Sequence, residues 1–122
     1  MPPMPTAFKR GEVRLANFNP SRGTEMGKIR PCVILQTDLL SDIDHPGTTV
    51  IPLTSRIING SAPLRCRIVR RDDLETDSDA MIDQVRTIDN RRLTSETLAR
   101  LTPRELAEIE EYLKIVLGLS VG

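Results

Sequence analysis

Apolar and polar residues alternate with a period of two through most of this chain, and a helical period takes over only near its end. Residues 11–18, GEVRLANF, set Val13 and Leu15 against polar neighbours, the pattern of a half-buried strand. Residues 31–37, PCVILQT, start on Pro31, which at a strand's first position removes no ladder bond. The run Cys32-Val33-Ile34-Leu35 then predicts a strand covered on both faces. Residues 48–54 predict a third strand, in which Pro52 implies a bulge or an edge. Residues 63–70 alternate Leu64, Cys66 and Ile68 with Arg65, Arg67 and Arg70, a strand with one wet, basic face. Residues 80–88 predict a fifth, buried strand interrupted by Asp83 and Gln84; buried polar groups are costly unless paired, so these two invite a functional role.

The connectors carry their own signals. Residues 1–9 are Pro-rich and expected to be disordered, leaving 10–122 as one domain. Residues 19–30 form a long loop with Pro20, Gly23 and Gly27, and long ordered loops in small domains are often functional. Residues 38–47 read as a second loop, Asn59-Gly60 as a turn within 55–62, and 72–79 as an acidic connector. One helix is predicted over 102–117: Thr102 as N-cap, Pro103 at the first helical position and Glu105 closing a capping box. Leu106, Ile109, Leu113, Val116 and Leu117 give its apolar spacing, and Gly118 its stop. Five or so short strands and a terminal helix make a mainly β, α+β chain, expected to close into a strongly bent antiparallel barrel.

Composition narrows the chemistry. A chain of 122 residues favours one domain, and with Phe8, Phe18 and Tyr112 as its only aromatics the core must be aliphatic. No apolar run approaches the roughly 18 residues of a membrane span, and the N-terminus lacks an apolar signal region, so the expected compartment is the cytosol. There Cys32 and Cys66 are expected as small core residues without a disulfide, and no Cys-x-x-Cys or Cys–His neighbourhood favours zinc. The formal charge is zero, but residues 1–71 hold 11 Lys/Arg and 5 Asp/Glu while 72–122 hold 6 and 12, so the chain is polarised from +6 to −6. A basic half can attract phosphates. Interleaving of the halves in space would erase that polarity. His45 is the only histidine and lies in a loop.

Three segments, in order, carry a family likeness. The first is Gly11-Glu12-Val13, then Pro20, Gly23-Thr24-Glu25, and Gly27 through Arg30-Pro31. The second is IPLTSR, a strand ending in the pair Thr54-Ser55 and followed by Arg56, and the third is DQVRTIDNRRL over 83–93. Together they resemble the MazF/PemK/Kid toxins from about residue 9 to the end of the helix. The resemblance implies the SH3-like small barrel shared with CcdB toxins, a homodimer, and a metal-independent, cofactor-free endoribonuclease acting on single-stranded RNA. It also implies a cognate antitoxin with an acidic, disordered tail. Asn17, Met26 and Arg56 depart from the family pattern, where Asp, Gln and Gln are frequent.

RNA cleavage of this kind uses the substrate's 2′-hydroxyl as nucleophile and leaves a 2′,3′-cyclic phosphate and a 5′-hydroxyl. The enzyme must take a proton, give one, and hold the charge that gathers on the phosphorane oxygens. A histidine pair is excluded, since His45 is alone. By the family motifs, Arg30 is the catalytic arginine, its guanidinium a donor fork suited to phosphate. Thr54 is the matching catalytic threonine, and Glu25, the only carboxylate of the signature loop, is the base or the residue that orients the arginine. Thr24, Arg22, Lys28, Arg56 and Gln84 are expected to contact substrate, and the antitoxin tail is expected at Arg22, Lys28, Arg30 and Arg56. Outside the motifs, Arg30 reads as a solvated strand entry, Thr54 as a strand-end threonine, and Arg65, Arg67 and Arg70 as a solvated face. Two alternatives share the fold. A CcdB-like gyrase poison uses a Trp near its C-terminus, and this chain has none. A catalytically inactive binding paralogue would not need Arg30, Thr54 and Glu25.

Overall fold

The computed structural model describes residues 8–20, 22–25 and 27–119. In chain order they form β1 (Glu12–Asn17), β2 (Ile29–Ile34), a one-turn α1 (Asp38–Ser41), β3 (Gly47–Thr54), β4 (Arg65–Ile68), β5 (Ser78–Met81), a 3-10 turn (Ile82–Gln84), β6 (Arg86–Asp89), a second such turn (Asn90–Arg92), β7 (Leu93–Arg100) and α2 (Pro103–Val116). The strands make one curled antiparallel sheet in the order β4-β5-β3-β2-β1-β7, with β6 also on β3. The mainly β fold with a C-terminal helix expected from the pattern is the fold observed. No described helix is long and apolar enough to cross a membrane.

Strand alternation feeds two cores. Val13, Val33, Ile51 and Leu53 pack with Cys66, Ile68, Ala80 and Ile82 under Ile109 and Leu113 of α2. The residues between them, Ala16, Cys32, Ile34 and Val50, join Phe8, Phe18 and Ile88 on the opposite face. The unbroken run Cys32-Val33-Ile34 is therefore buried on both faces of β2, as its composition predicts. Cys32 and Cys66 are free, buried thiols in different cores, and burial pushes both up to about 12, well out of the range of a reactive thiolate.

The helix has the caps read from its sequence. Thr102 accepts from the Glu105 N–H at 3.2 Å while Glu105 accepts from the Thr102 N–H at 2.8 Å. Gly118, at φ +68°, ends it, with Gly118 N–H donating to Ile115 O and Leu119 N–H to Lys114 O. Leu117 falls outside the apolar stripe and is 54% exposed.

Several expectations are corrected. Residues 1–7 lie outside the described residues, but the last two of the Pro-rich segment belong to the fold: Phe8 is buried, and the Lys9 N–H donates to Glu12 Oε1 at 2.6 Å. Pro52 is not on an edge. On one side β3 pairs with β2; on the other, residues 47–50 pair with β6 and 53–54 with β5. Ile51 and Pro52 fall where one partner strand hands over to the next, so the missing N–H costs little. The single strand expected over 80–88 is two strands, because the 3-10 turn at Ile82–Gln84 lifts Asp83 to solvent and leaves Gln84 half-buried instead of seating both in a ladder. The loop at 38–47 contains α1, and β7 was not anticipated.

Candidate active site

The site is a row across the sheet. Ala16 of β1 stands opposite Arg30 of β2, and Cys32 stands opposite Pro52 on β3. Continuing that register by two residues brings Arg30 level with Thr54. On the far side of β3, Thr54 is opposite Asp79 of β5, and Asp79 is opposite Arg67 of β4. Residues directly opposite in antiparallel strands share a face, so Thr54, Asp79 and Arg67 lie side by side, and Arg30 reaches the same end of β3 through its Nη1 bond to Leu53 O. An open groove of about 1020 Å³ runs past the row, lined among others by Glu25, Lys28, Arg30, Thr54, Arg56 and Arg65.

Arg30 is half-buried, and the contacts described for it are to carbonyls: Nε donates to Gly27 O at 2.8 Å and Nη1 to Leu53 O at 3.4 Å. Burial pulls its pKa below the usual arginine value without a carboxylate to offset it. A guanidinium always carries its charge in proteins, so this is a fixed, partly desolvated cation with donors to spare. Thr54 is buried at the end of β3, and its hydroxyl oxygen accepts the Arg56 N–H at 3.2 Å, which leaves the hydroxyl proton for a ligand oxygen.

The loop that delivers Arg30 is closed at its neck by short polar contacts. Phe18 N–H donates to Lys28 O at 2.9 Å, and the Lys28 N–H to Asn19 Oδ1 at 2.8 Å. Lys28 takes a left-handed backbone, φ 73°, to do so. Asn17, one of the departures from the family pattern, accepts the Asn19 N–H at 3.0 Å, and Arg92 Nη1 donates to both Asn17 O and Asn19 O. Met26 lies outside the described residues.

Of the expected site residues, Glu25, Lys28, Arg30, Thr54 and Arg56 share the groove, while Thr24 and Arg22 stand exposed on the loop outside its lining. Gln84 is on the 3-10 turn that packs against α2, also outside the lining. Glu25 pairs with Arg86 Nη1 at 3.4 Å; the residue it orients is Arg86, whose guanidinium lies over the Phe18 ring at 5.8 Å, and no hydrogen bond joins it to Arg30.

Sequence reasoning missed several neighbours. Asn19, Arg65, Asp73 and Glu75 also line the groove, the last two giving the acidic connector a place on its wall. Asp79 was invisible as a functional residue within that connector. Its carboxylate is 2% exposed, accepts from Arg67 Nε at 2.7 Å and the Ile58 N–H at 2.9 Å, and pairs with Arg65 at 3.5 Å. Burial raises its pKa, but the hydrogen bonds from Arg67 and Ile58 and the arginine charges outweigh this and hold it below the usual carboxylate range. The Arg65–Arg67 face is thus an ion-paired one. An acid two residues from a strand's end, opposite alternating arginines, was the signal available.

Residues 9–117 match the family described as the PemK-like, MazF-like toxin of type II toxin-antitoxin systems. The crystal structure of MazF (Form-I) from Deinococcus radiodurans aligns with a TM-score of 0.77 and 25% identity, over 93% of this chain and 98% of that one. MazE–MazF (Form-II) from the same organism aligns with a TM-score of 0.71 and 26% identity, over 93% and 98%. An endoribonuclease in complex with its cognate antitoxin, from a mycobacterial species, gives a TM-score of 0.69 at 20% identity over 95% and 98%, a likeness of fold.

Proposed function

Because the chain belongs to the PemK-like, MazF-like toxins of type II toxin-antitoxin systems, we propose that it is a sequence-specific endoribonuclease that cuts single-stranded RNA in the groove beside Arg30 and Thr54. One observation carries this reading: a half-buried arginine tethered by two carbonyls, with no carboxylate partner, level with a threonine hydroxyl whose proton is uncommitted. Such a pair matches the charge that develops on a phosphoryl oxygen.

In this mechanism the 2′-oxygen of the nucleotide before the cut attacks phosphorus and the bond from phosphorus to the 5′-oxygen breaks. The 2′-hydroxyl proton passes to Glu25, the carboxylate of the signature loop in the groove, and the departing 5′-oxygen takes a proton from water. Arg30 and Thr54 hold the non-bridging oxygens of the phosphorane. Because arginine keeps its proton to about pH 12 and beyond, Arg30 is assigned to charge and not to proton transfer. The nucleophile belongs to the substrate, so the proposal requires neither metal nor cofactor. Lys28 and Arg56 extend the positive lining of the groove, and Thr24, Arg22 and Gln84 remain proposed substrate contacts reached by RNA that extends past it.

The partner proposed is an antitoxin whose acidic tail folds onto Arg22, Lys28, Arg30 and Arg56 and places carboxylates where RNA phosphates bind. We expect the protein to act in the cytosol as a homodimer with two such grooves. The test of the activity is a long single-stranded RNA incubated with the protein in EDTA. Cutting at defined sites should leave 2′,3′-cyclic phosphate and 5′-hydroxyl ends, and deoxyribose at the cut position should block it. Efficient cutting of the deoxyribose substrate would refute the mechanism.

A further inference from the structure

Beyond the residues the family motifs point to, the groove has a second cation held in place from below. Asp79 is the buried cross-strand neighbour of Thr54, and it organises what lies beyond the end of β3 in three ways. Its Oδ2 accepts the Ile58 N–H at 2.9 Å, anchoring the turn after Thr54-Ser55. Its Oδ1 takes Arg67 Nε at 2.7 Å, with the rest of Arg67 tied to Asn59 at 2.8 Å. Its Oδ2 also pairs with Arg65 Nη1, more loosely, at 3.5 Å. The same Nη1 donates to Arg56 O at 2.9 Å, while the Arg56 N–H is held by Thr54.

Two arginines therefore share one carboxylate, and the two are not equivalent. Arg67 has the short bond to Asp79 and a second side-chain partner, away from the groove lining. Arg65 lines the groove with Arg30, Thr54 and Arg56, is only 22% exposed, and engages only Nη1 in its described contacts. One negative charge between two positive ones leaves this three-residue cluster at a net +1, with Asp73 and Glu75 the carboxylates that also line the groove. An arginine fixed through one nitrogen, with its other donors uncommitted, is a phosphate-binding arrangement.

Resting on the ribonuclease reading, we infer that Arg65 holds a second phosphate of the RNA strand beside the one at Arg30, and that Asp79 is the positioning residue that keeps Arg65 and the Arg56 backbone in place for it. RNA is then gripped at two points along the groove, so Arg65 contributes binding energy to bound substrate and transition state alike. Its loss raises KM and leaves kcat nearly unchanged.

The experiment measures affinity for a single-stranded RNA carrying deoxyribose at the cut position, across a series of salt concentrations, for the full chain and its variants. Arg65→Gln should weaken binding roughly tenfold and lower the slope of log affinity against log salt by about 0.7, the value for one phosphate contact on a single strand. Arg65→Lys keeps the charge and should restore the slope. Asp79→Asn should weaken binding with Arg65 present and add nothing in the Arg65→Gln background, a coupling that a merely structural aspartate would not show in affinity. The Arg65 variants stand by themselves if Asp79→Asn does not fold. Unchanged affinity and slope in Arg65→Gln, with cutting of all-ribose RNA intact, overturns this inference and leaves the ribonuclease reading standing. An Arg65-dependent slope in a protein that never cuts RNA keeps the inference and overturns that reading.

Discussion

Replacing Arg30 should separate the proposed catalysis from stability. The guanidinium has five N–H donors; one on Nε and one on Nη1 are engaged by Gly27 O and Leu53 O, which leaves three for a phosphate. In Arg30→Ala all three vanish, and the loss of even one preorganised donor costs about 2.7–4 kcal/mol, or 10²–10³ in rate. The folded state loses one good hydrogen bond and one at the distance limit. It also sheds a partly desolvated cation that no carboxylate offsets, an unfavourable feature in itself. The two effects oppose each other, so the net change in stability should be no more than about 1 kcal/mol, a shift of a few degrees in Tm. Arg30→Lys keeps the charge, but an ammonium cannot hold both carbonyls and still present a planar fork. It should fall between the wild type and the alanine variant in rate. The assay is single-turnover cleavage of a fluorogenic RNA alongside a thermal melt of each variant. Cutting by Arg30→Ala within tenfold of wild type would refute the assignment; a collapse of Tm would show that Arg30 is structural.

Three further outcomes follow from the same geometry. Glu25→Gln should reduce cutting in a single-turnover assay, whereas a rate that barely changes would leave Glu25 only as the partner of Arg86. Burial raises the pKa of Glu12, but hydrogen bonds from Thr97, the Lys9 N–H and Arg14 outweigh it and hold it below the ordinary 4.5. A depressed carboxylate pKa stabilises the fold above about pH 4.5 and loses that contribution as pH falls through the folded value, so Glu12→Gln should lose stability at neutral pH and flatten the acid fall of Tm, and melting curves that stay parallel across pH would contradict this. An acidic peptide from the antitoxin tail should raise the apparent RNA dissociation constant in proportion to its concentration, and less so at high salt; peptide and RNA bound together with unchanged RNA affinity would place inhibition elsewhere.

Much of this was legible because local chemistry and tertiary context agree. The capping box Thr102–Glu105 and the stop at Gly118 are local signals, and the helix keeps both. The run Cys32-Val33-Ile34 announces a strand between two cores because a strand buried on both faces has no polar side. β7 was missed because LTSETLAR has few large apolar residues; it is held by its ladder with β1, through register shifts, and by Ala99, whose burial no hydropathy pattern betrays. Asp83 and Gln84 misled as to the strand, since their polarity marks a 3-10 turn that splits it in two. Arg30 and Thr54 stood out by their motifs, but Asp79 and Arg65 matter through cross-strand neighbours, and pairing partners far apart in sequence are what a linear pattern does not carry.

The crowded position of β3 bears on how this site can be regulated. A strand bonded on one side to β2 and on the other to both β5 and β6 lies at the centre of the hydrogen-bond network, and its amides are expected among the last to exchange. Thr54 ends that strand, and Arg30 is tied to the carbonyl of its penultimate residue. Partial opening of the termini, of α1 or of the edge strands leaves this pair where it is. Its strand-borne part, Leu53 O and Thr54, goes only with the centre of the sheet, so competition for the groove is the expected route of inhibition.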